Sequence, residues 1–294
     1  MLNNLIILEV DELLSKFVWS NTNFEDAEII LVGVPDESGS HAYRAGSSSG
    51  PDQIRKISNQ RELFGPNRIA QSMTGEIISK VWDYGNITKK EVNHFINNIL
   101  KKKKFPIAIG GDHSITAEIL RGYPKNIEIS LIYFDAHPDI IYSDRPYYGS
   151  VVADASKFVD LQKSVELGIR EPELEEIRTL REKGILTLTP FDLMEIGIKE
   201  IFQIIKKRIG EYIYISVDMD CFDPAFAPGV STPSPGGFSS TQVIYLLKKI
   251  ARLGLVGFDI METNPKFDIN DMTSHLAARL IVETLTDLKV VHVY

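Results

Sequence analysis

The amino-acid sequence predicts a three-layer α/β/α fold built on a mainly parallel sheet of eight strands. Eight short runs rich in β-branched and aromatic residues recur along the chain, and helix-like segments separate them. Most of these runs are apolar throughout rather than alternating, which is typical of strands covered on both faces. The predicted strands are residues 27–33, 105–110, 127–135, 163–169, 184–188, 211–218, 253–260 and 287–294.

Helix-like segments between the strands are expected to cover both faces of the sheet. Ser239-Ser240-Thr241 and Asn270-Asp271-Met272-Thr273 each precede an apolar-periodic run, as polar residues do at helix N-termini. No linker, low-complexity tract or internal repeat interrupts the alternation, so we expect residues 1–294 to form a single domain. The predicted helices are residues 88–103, 114–121, 171–183, 190–208, 239–251 and 271–286.

The composition argues against several classes of protein. The chain has 294 residues and a net charge of −8, which disfavours nucleic acid and anionic membranes as partners and suits a small cationic substrate. The single cysteine, Cys221, allows no intrachain disulfide, and the N-terminus lacks the basic residues of a signal peptide. No run of about 18 apolar residues is long enough to span a membrane. We therefore expect a cytoplasmic enzyme.

Acidic residues and histidines directly follow four of the predicted strands. Ligands bind beyond the carboxyl ends of the strands in open α/β sheets, so we expect these side chains to converge at one edge. Each motif alone is more often a turn or a helix cap, but four in succession favour a site. The residues are Asp112 and His113, then Asp135, His137 and Asp139, then Asp218, Asp220 and Asp223, and finally Asp259 and Glu262.

The carboxylates in these motifs need compensating positive charge. Buried Asp and Glu are rare unless they are paired or bound to metal, and each uncompensated charge costs several kcal/mol. Asp135, Asp139, Asp218 and Asp220 carry four negative charges, which two divalent cations would balance. Two metals about 3.5–4 Å apart are a familiar hydrolytic arrangement, so we predict a binuclear metal site.

Other residues with metal-binding side chains have simpler explanations. Cys221 offers a soft thiolate among hard oxygen ligands and is predicted to be a buried packing residue. Asp259 either orients a metal ligand from behind or caps the following helix. The histidines outside the motifs are predicted to be packing or surface residues, and they are His41, His94, His275 and His292.

The motifs closely resemble, as an ordered set, those of the ureohydrolase family, which contains arginase and agmatinase. The resemblance runs from about residue 27 to the C-terminus, and DPAFAPG with the following TPSPGG (232–237) is more similar to the agmatinase branch. The matching segments are RAGSSSGPDQIR (44–55), GGDHS (110–114), DAHPD (135–139), LGIRE (167–171), SVDMDCFDPAFAPG (216–229) and METNP (261–265).

The resemblance implies an arginase-like sheet that carries two Mn²⁺ ions per chain. Oxygen-rich ligation with two imidazoles suits Mn²⁺. Family members are usually trimers or hexamers, so a homotrimer or homohexamer is also implied. The ligands implied for the first ion are His113, Asp135, Asp139 and Asp218, and those for the second are Asp135, His137, Asp218 and Asp220, with Asp135 and Asp218 bridging.

The implied reaction is hydrolysis of a guanidino compound to urea and an amine. Free water, with a pKa of about 15.7, attacks the delocalised guanidinium carbon poorly, whereas water activated by metal reaches a pKa near 7. Asp139 would carry a proton towards the leaving amine, and Glu262 would pair with the guanidinium over the metals. The resemblance favours agmatine as the substrate, with putrescine and urea as products.

The sequence departs from the family close to the substrate. Family members usually carry a histidine where this chain has Tyr148, and no histidine occurs between His137 and His275. A phenol with a pKa near 10 donates a hydrogen bond but shuttles protons poorly near neutrality. We expect Tyr148 to lie against the substrate. A non-catalytic metal-binding homologue, which has lost turnover through this change, is an open alternative.

Discrimination between guanidino substrates leaves further alternatives open. Glu171 and Glu173 lie where the family has groups near the far end of the substrate, and they would suit a primary ammonium such as that of agmatine. Their other explanation is as first-turn helix carboxylates. A guanidinobutyrase, an arginase or another guanidino-acid hydrolase would need a cation for the substrate's carboxylate, and Arg145 is a candidate.

Overall fold

The computed structural model describes residues 16–60, 72, 79–145 and 147–294 of the chain. The N-terminal residues 1–15, expected above not to be a signal peptide, lie outside this range. Eight strands form one sheet in which every adjacent pair is parallel. They are β1 (Ile29–Val34), β2 (Val81–Asn86), β3 (Phe105–Gly110), β4 (Ile129–Phe134), β5 (Val165–Leu167), β6 (Leu186–Leu188), β7 (Tyr212–Asp218) and β8 (Leu255–Met261). Across the sheet their order is β2-β1-β3-β8-β7-β4-β5-β6.

Helices cover both faces of this sheet, which confirms the predicted three-layer α/β/α class. Within the described residues, no helix combines the length and the apolar character that a membrane crossing requires. The helices are α1 (Gly50–Ser58), α2 (Val92–Lys101), α3 (Ile115–Arg121), α4 (Val151–Ala155), α5 (Leu174–Lys183), α6 (Pro190–Ile196), α7 (Ile198–Arg208), α8 (Ser240–Ala251) and α9 (Met272–Asp287). One apolar layer packs α1 and α6 to α9 against the sheet, and a second layer packs α2 to α5 against the opposite face.

The central strands explain why the predicted runs are apolar throughout. Every residue of β1, β3, β4 and β8 is buried, because helices pack on both faces of each of these strands. The four strands that carry the acidic motifs, β3, β8, β7 and β4, are neighbours in the middle of the sheet. Their carboxyl ends therefore bring the motifs to one edge, as the sequence predicts.

One predicted strand is wrong, and another strand takes its place in the sheet. Residues 287–294 form no strand and make one isolated bridge between Val290 and Leu255 at the beginning of β8. The eighth strand is instead β2, an edge strand in which buried and more exposed residues mix. Helices α1 and α4 were not predicted, and the predicted helix 190–208 is divided at Gly197, whose φ of 86° is left-handed.

A buried ion pair holds the edge strand β2 to helix α1. Arg55 donates from Nε to Oδ2 of Asp83 at 2.7 Å and from Nη2 to Oδ1 at 3.0 Å. The backbone N–H groups of Phe17 and Gly85 donate to the same carboxylate at 2.7 and 2.9 Å. Asp83 is fully buried and Arg55 nearly so, so this carboxylate depends on its four donors for compensation.

Replacing Arg55 is expected to destabilise the whole sheet. Arg55→Met leaves the Asp83 charge buried without its cation, which costs about 3–5 kcal/mol when a buried pair loses one partner. Urea unfolding followed by circular dichroism measures this loss in the free energy of unfolding. Arg121→Met, which removes a half-exposed arginine paired with Glu118, is the control and should cost less than about 1 kcal/mol. Equal losses for the two variants would contradict the role given to Arg55.

Candidate active site

Asp135 lies between two histidines immediately after β4. Its Oδ2 is 3.1 Å from Nδ1 of His113, and its Oδ1 is 3.3 Å from Nδ1 of His137. His113 follows β3, so this contact joins the ends of two strands that are separated in the sheet by β8 and β7. The carboxylate therefore stands where two neighbouring cation sites would share a ligand.

Two overlapping groups of metal-capable atoms form around Asp135. The first group contains His113, Asp135 and Asp218, the second contains Asp135, His137 and Asp220, and the ligand atoms of each lie within 4.8 Å of one another. Oδ2 of Asp218 is 3.0 Å from Nδ1 of His113, and Oδ2 of Asp220 is 3.2 Å from Nδ1 of His137. Five of the six predicted metal ligands thus come together, and Asp218, expected to bridge, joins the first group alone.

The backbone after β7 is held tightly around these carboxylates. Oδ1 of Asp218 accepts a hydrogen bond from the backbone N–H of Asp220 at 2.7 Å, and Oδ1 of Asp220 accepts one from Ala136 at 3.1 Å. The Arg170 guanidinium donates to the carbonyl oxygens of Asp220 and Ser234 at 2.7 and 2.5 Å. Arg170 in the LGIRE motif therefore fixes the loop that presents two of the aspartates.

Asp139, the sixth predicted ligand, is buried at the same edge but belongs to neither group. Its backbone φ of 49° is left-handed, and its carbonyl accepts the N–H of Val152 at 2.9 Å as α4 begins. Its Oδ2 accepts a hydrogen bond from the hydroxyl of Tyr133 at 2.5 Å. The same hydroxyl is 3.0 Å from Nδ1 of His113, so Tyr133 stands between Asp139 and the first group.

Glu262 is buried at the end of β8 with one oxygen unpaired. Its backbone has a left-handed φ of 62°, and its N–H donates to the Gly111 carbonyl at 2.8 Å. Oε1 accepts the backbone N–H of His113 at 3.0 Å, whereas Oε2 has no hydrogen-bond partner among the described residues. Burial, and then the charge of Asp112, raise the pKa of Glu262 to about 8. A cation at this oxygen would relieve both effects.

A chain of polar side chains orients His113 from behind. Its Nε2 is 2.7 Å from the hydroxyl of Ser216, which donates to Oδ1 of Asp259 at 2.6 Å. Oδ2 of Asp259 accepts further hydrogen bonds from Thr116 at 2.9 Å and Tyr214 at 2.7 Å. Of the two explanations for Asp259, its contacts fit orientation of the imidazole rather than a helix cap. They also direct Nδ1 of His113 towards the aspartates.

The pKa shifts at this edge of the sheet show that its buried carboxylates lack compensating positive charge. Burial alone would lower the pKa of His113, but hydrogen bonds and charges from Asp135 and Asp218 outweigh it and raise that pKa well above its usual range. Burial, with the charges of neighbouring aspartates, raises the pKa of Asp218 and of Asp139. The carboxylates therefore compete for protons, which is the condition that a bound dication removes.

The residues present fit a pair of hard divalent cations. Four buried aspartates and two imidazoles give an oxygen-rich donor set of the kind that Mn²⁺ accepts. Oε2 of Glu262 is buried without a hydrogen-bond partner among the described residues, and Oδ2 of Asp135 faces the imidazole of His113 at 3.1 Å. Buried polar atoms are normally paired, so the oxygen of Glu262 marks a position that a cation would satisfy.

Tyr148 lies close enough to the site for its charges to act on the phenol. Burial, followed by Tyr147 and Glu262, raises the pKa of Tyr148 to about 12, so the phenol is a donor and holds its proton at neutral pH. The ring of Tyr147 packs edge-on against Tyr148 with centroids 4.9 Å apart. His41, predicted to be a packing or surface residue, is exposed. Its ring packs on that of Tyr147, with centroids 5.0 Å apart.

The two acidic residues predicted near the far end of the substrate have different surroundings. Oε2 of Glu171 is 3.6 Å from Nε2 of His137, and about half of its side chain is exposed. Glu173 is the N-cap of α5 and forms a capping box with Glu176. Arg145, the candidate cation for a carboxylate substrate, is exposed. Glu171 is thus beside the site, whereas the contacts of Glu173 match the helix-cap explanation.

Sequence patterns did not single out Tyr133 and Ser216, two residues that contact the predicted ligands. A signal existed in each case, because side chains two apart share one face of a strand. Tyr133 is two residues before Asp135, and Ser216 is two residues before Asp218. Cys221 is buried, as predicted.

Comparisons with known proteins agree with this fold and its motifs. A model of the arginase family matches residues 27–286. Proclavaminate amidinohydrolase from Streptomyces clavuligerus is 31% identical over 274 residues, which cover 88% of this chain and 87% of that protein. An agmatinase from Bacillus subtilis (strain 168) is 29% identical over 280 residues, covering 92% and 94%. The crystal structure of agmatine ureohydrolase of Thermoplasma volcanium has a TM-score of 0.82 at 29% identity, covering 93% of this chain and 94% of that one. The chain therefore belongs to the arginase family and is an enzyme of the ureohydrolase type.

Proposed function

We propose that this enzyme hydrolyses agmatine to putrescine and urea at a site that holds two Mn²⁺ ions. The observation that carries the proposal is the position of Asp135, whose two oxygens face His113 and His137 at 3.1 and 3.3 Å. One carboxylate shared by two donor groups is the arrangement that a binuclear hydrolytic centre needs. Membership of the arginase family supports the same chemistry.

The metal pair is proposed to be held by the side chains that converge at the sheet edge. When bound, the ions supply Lewis-acid activation of water at neutral pH. Asp135 is assigned to both ions, and we propose that the displacement of protons from the site accompanies binding. The proposed ligands are His113, Asp135, His137, Asp139, Asp218 and Asp220.

Two further carboxylates are proposed to act on the substrate. Oε2 of Glu262 is buried and unpaired among the described residues, so it would accept the guanidinium and hold its carbon towards the metal site. The hydroxyl of Tyr133 links Asp139 to the first group, because it contacts both Asp139 and His113. We assign to Asp139 the transfer of the proton that must reach the leaving amine. Tyr148 keeps its proton, so it would cover the substrate as a hydrogen-bond donor.

Agmatine is preferred over guanidino acids because of the charges around the site. Glu171, half exposed beside His137, would attract a distant ammonium group. The net charge of −8 also favours a dication over a substrate with a carboxylate. Similarity to proclavaminate amidinohydrolase keeps a different guanidino substrate as the second candidate, with arginine and 4-guanidinobutyrate among the alternatives.

We further propose that the enzyme is a cytoplasmic homotrimer or homohexamer. Four large apolar side chains are exposed on α5 and α6, the helices that precede and follow the short edge strand β6, and exposed apolar surface of this kind supports a contact between subunits. The residues are Leu174, Phe191, Met194 and Ile196.

Urea release across a substrate panel tests the proposed reaction. Enzyme purified and loaded with Mn²⁺ should release urea from agmatine faster than from arginine or 4-guanidinobutyrate, because both of these carry a carboxylate that Glu171 repels. A colorimetric urea assay gives kcat/KM for each compound. Absence of urea from agmatine would reject the substrate assignment. Two bound Mn²⁺ with no hydrolysis of any guanidino compound would instead favour the non-catalytic alternative.

Removing the shared carboxylate is expected to abolish the two-metal site. Asp135→Asn should lower bound Mn²⁺ below two per chain and reduce kcat by at least about 100-fold, because one neutral amide then replaces a charge that both ions need. Metal analysis after gel filtration and the urea assay measure the two effects. Asp144→Asn, at an exposed position, is the control. Full Mn²⁺ occupancy in Asp135→Asn would exclude the shared position.

Replacing Tyr148 by histidine tests whether the phenol limits turnover. An imidazole has a pKa near 6.5 and can pass a proton at neutral pH, which a phenol with a pKa of about 12 does poorly. Tyr148→His should therefore raise kcat for agmatine by at least about tenfold, a threshold set below the roughly 10²–10⁴-fold that general acid–base catalysis contributes. Tyr148→Phe serves as the matched variant and should show no gain. A kcat in Tyr148→His equal to that of the wild type would show that this position does not limit the rate.

A further inference from the structure

Tyr133 places a phenol inside the predicted metal centre. It lies on β4 two residues before Asp135, and its side chain is fully buried. Its ring stacks on the imidazole of His113, with centroids 4.7 Å apart and planes at 23°. Its hydroxyl donates to Oδ2 of Asp139 at 2.5 Å and lies 3.0 Å from Nδ1 of His113. The phenol is the donor in its bond with Asp139, and a carboxylate oxygen accepts it.

The other carboxylates of the site share one pattern of anchoring. In each, one oxygen accepts a backbone N–H, and at Asp220 the second oxygen also accepts the hydroxyl of Thr232 at 2.9 Å. The donors are His137 N to Asp135 Oδ1, Asp220 N to Asp218 Oδ1, Ala136 N to Asp220 Oδ1, and His113 N to Glu262 Oε1. At Asp139 the hydroxyl of Tyr133 takes the place that a backbone amide occupies elsewhere.

General packing does not account for this choice of partner. Glu166 lies directly opposite Tyr133 on β5, and both of its buried oxygens have no hydrogen-bond partner among the described residues. The hydroxyl of Tyr133 nevertheless points to Asp139. Tyr123, another buried tyrosine, satisfies its hydroxyl with the backbone carbonyl of Val256 at 2.8 Å. A phenol can therefore be buried in this fold without reaching the site.

We propose that Tyr133 is a positioning residue that anchors Oδ2 of Asp139 through one lone pair and presents Oδ1 to an ion, which leaves the second lone pair of Oδ2 for the proton assigned to Asp139 above. This inference rests on the proposed two-metal function, because it concerns how one ligand is presented. Holding one oxygen fixes the rotation of the carboxylate, so the second oxygen is oriented before the ion arrives. The stacked ring also holds the plane of the His113 imidazole, which is the ligand beside it.

Mn²⁺ titration of the metal-free protein tests this role without measuring activity. Electron paramagnetic resonance of free Mn²⁺ gives the number and affinity of the sites in the wild type, Tyr133→Phe, Asp139→Asn and the double variant. Tyr133→Phe keeps the ring and removes the hydroxyl. It should weaken one of the two sites by about 10–100-fold, the usual effect of losing a partner of a metal ligand, and leave the other unchanged. Tyr123→Phe is the matched control and should bind as the wild type does.

The double variant shows whether the effect passes through Asp139. In the Asp139→Asn background, Tyr133→Phe should cause no further loss, because the group that it positions is already changed. Additive losses would overturn the proposal and indicate that the phenol contacts the ion itself. Unchanged affinity in Tyr133→Phe, or equal weakening of both sites, would overturn it as well. A wild type that binds no Mn²⁺ would instead reject the metal site, and the proposed function with it.

Discussion

The site is organised by one constraint, which is the burial of several negative charges at a single edge of the sheet. Asp135, Asp139, Asp218, Asp220 and Glu262 are all 5% exposed or less. Such charges are costly without compensation, and hydrogen bonds from backbone amides satisfy only one oxygen of most of them. Short turns after β4 and β7 supply those amides, and the left-handed residues Asp139 and Glu262 bend the chain so that the carboxylates face inward. The loops are therefore shaped by an electrostatic requirement as much as by packing.

Most of the site could be predicted because its chemistry is local in the sequence. The motifs DAHPD and DMDCFDP each contain predicted ligands within a few residues of a strand. Parallel topology then brings the carboxyl ends of such strands together. The contacts that tune the ligands are different, because they join distant positions. His113 contacts Ser216, 103 positions away, and this serine looks like an ordinary strand residue in EYIYISVD. The role of Tyr133 could not be predicted either, because this residue lies inside an apolar run that is typical of a buried strand. Alternation showed which face it occupies, but not that its hydroxyl meets Asp139.

The fold was predicted well where strands are buried on both faces and poorly at the margin of the sheet. The central strands can be predicted from their continuous apolar sequence. In contrast, β2 contains Asp83, Gly85 and Asn86, a composition typical of a loop. Its place depends on Arg55, which no local pattern can reveal. The C-terminal run was the opposite case: Val290 packs on the first apolar layer and Val291 and Val293 pack on the second, but β8 already has β3 and β7 as neighbours. An alternating apolar pattern indicates that a segment is buried. The segment forms a strand only if another strand has an unpaired edge with which it can pair.

The long separations within the site also affect how the chain reaches its native state. His113 contacts Asp218 and Glu262 across 105 and 149 positions, so the ligands are assembled by contacts between distant parts of the chain. We expect such contacts to form late in folding, since closing long loops is entropically unfavourable until the sheet supports them. A chain still emerging from the ribosome without β8 has separate motifs but no completed site. Capture of metal would then report that the sheet is complete, and a bound ion would stabilise the finished fold alone.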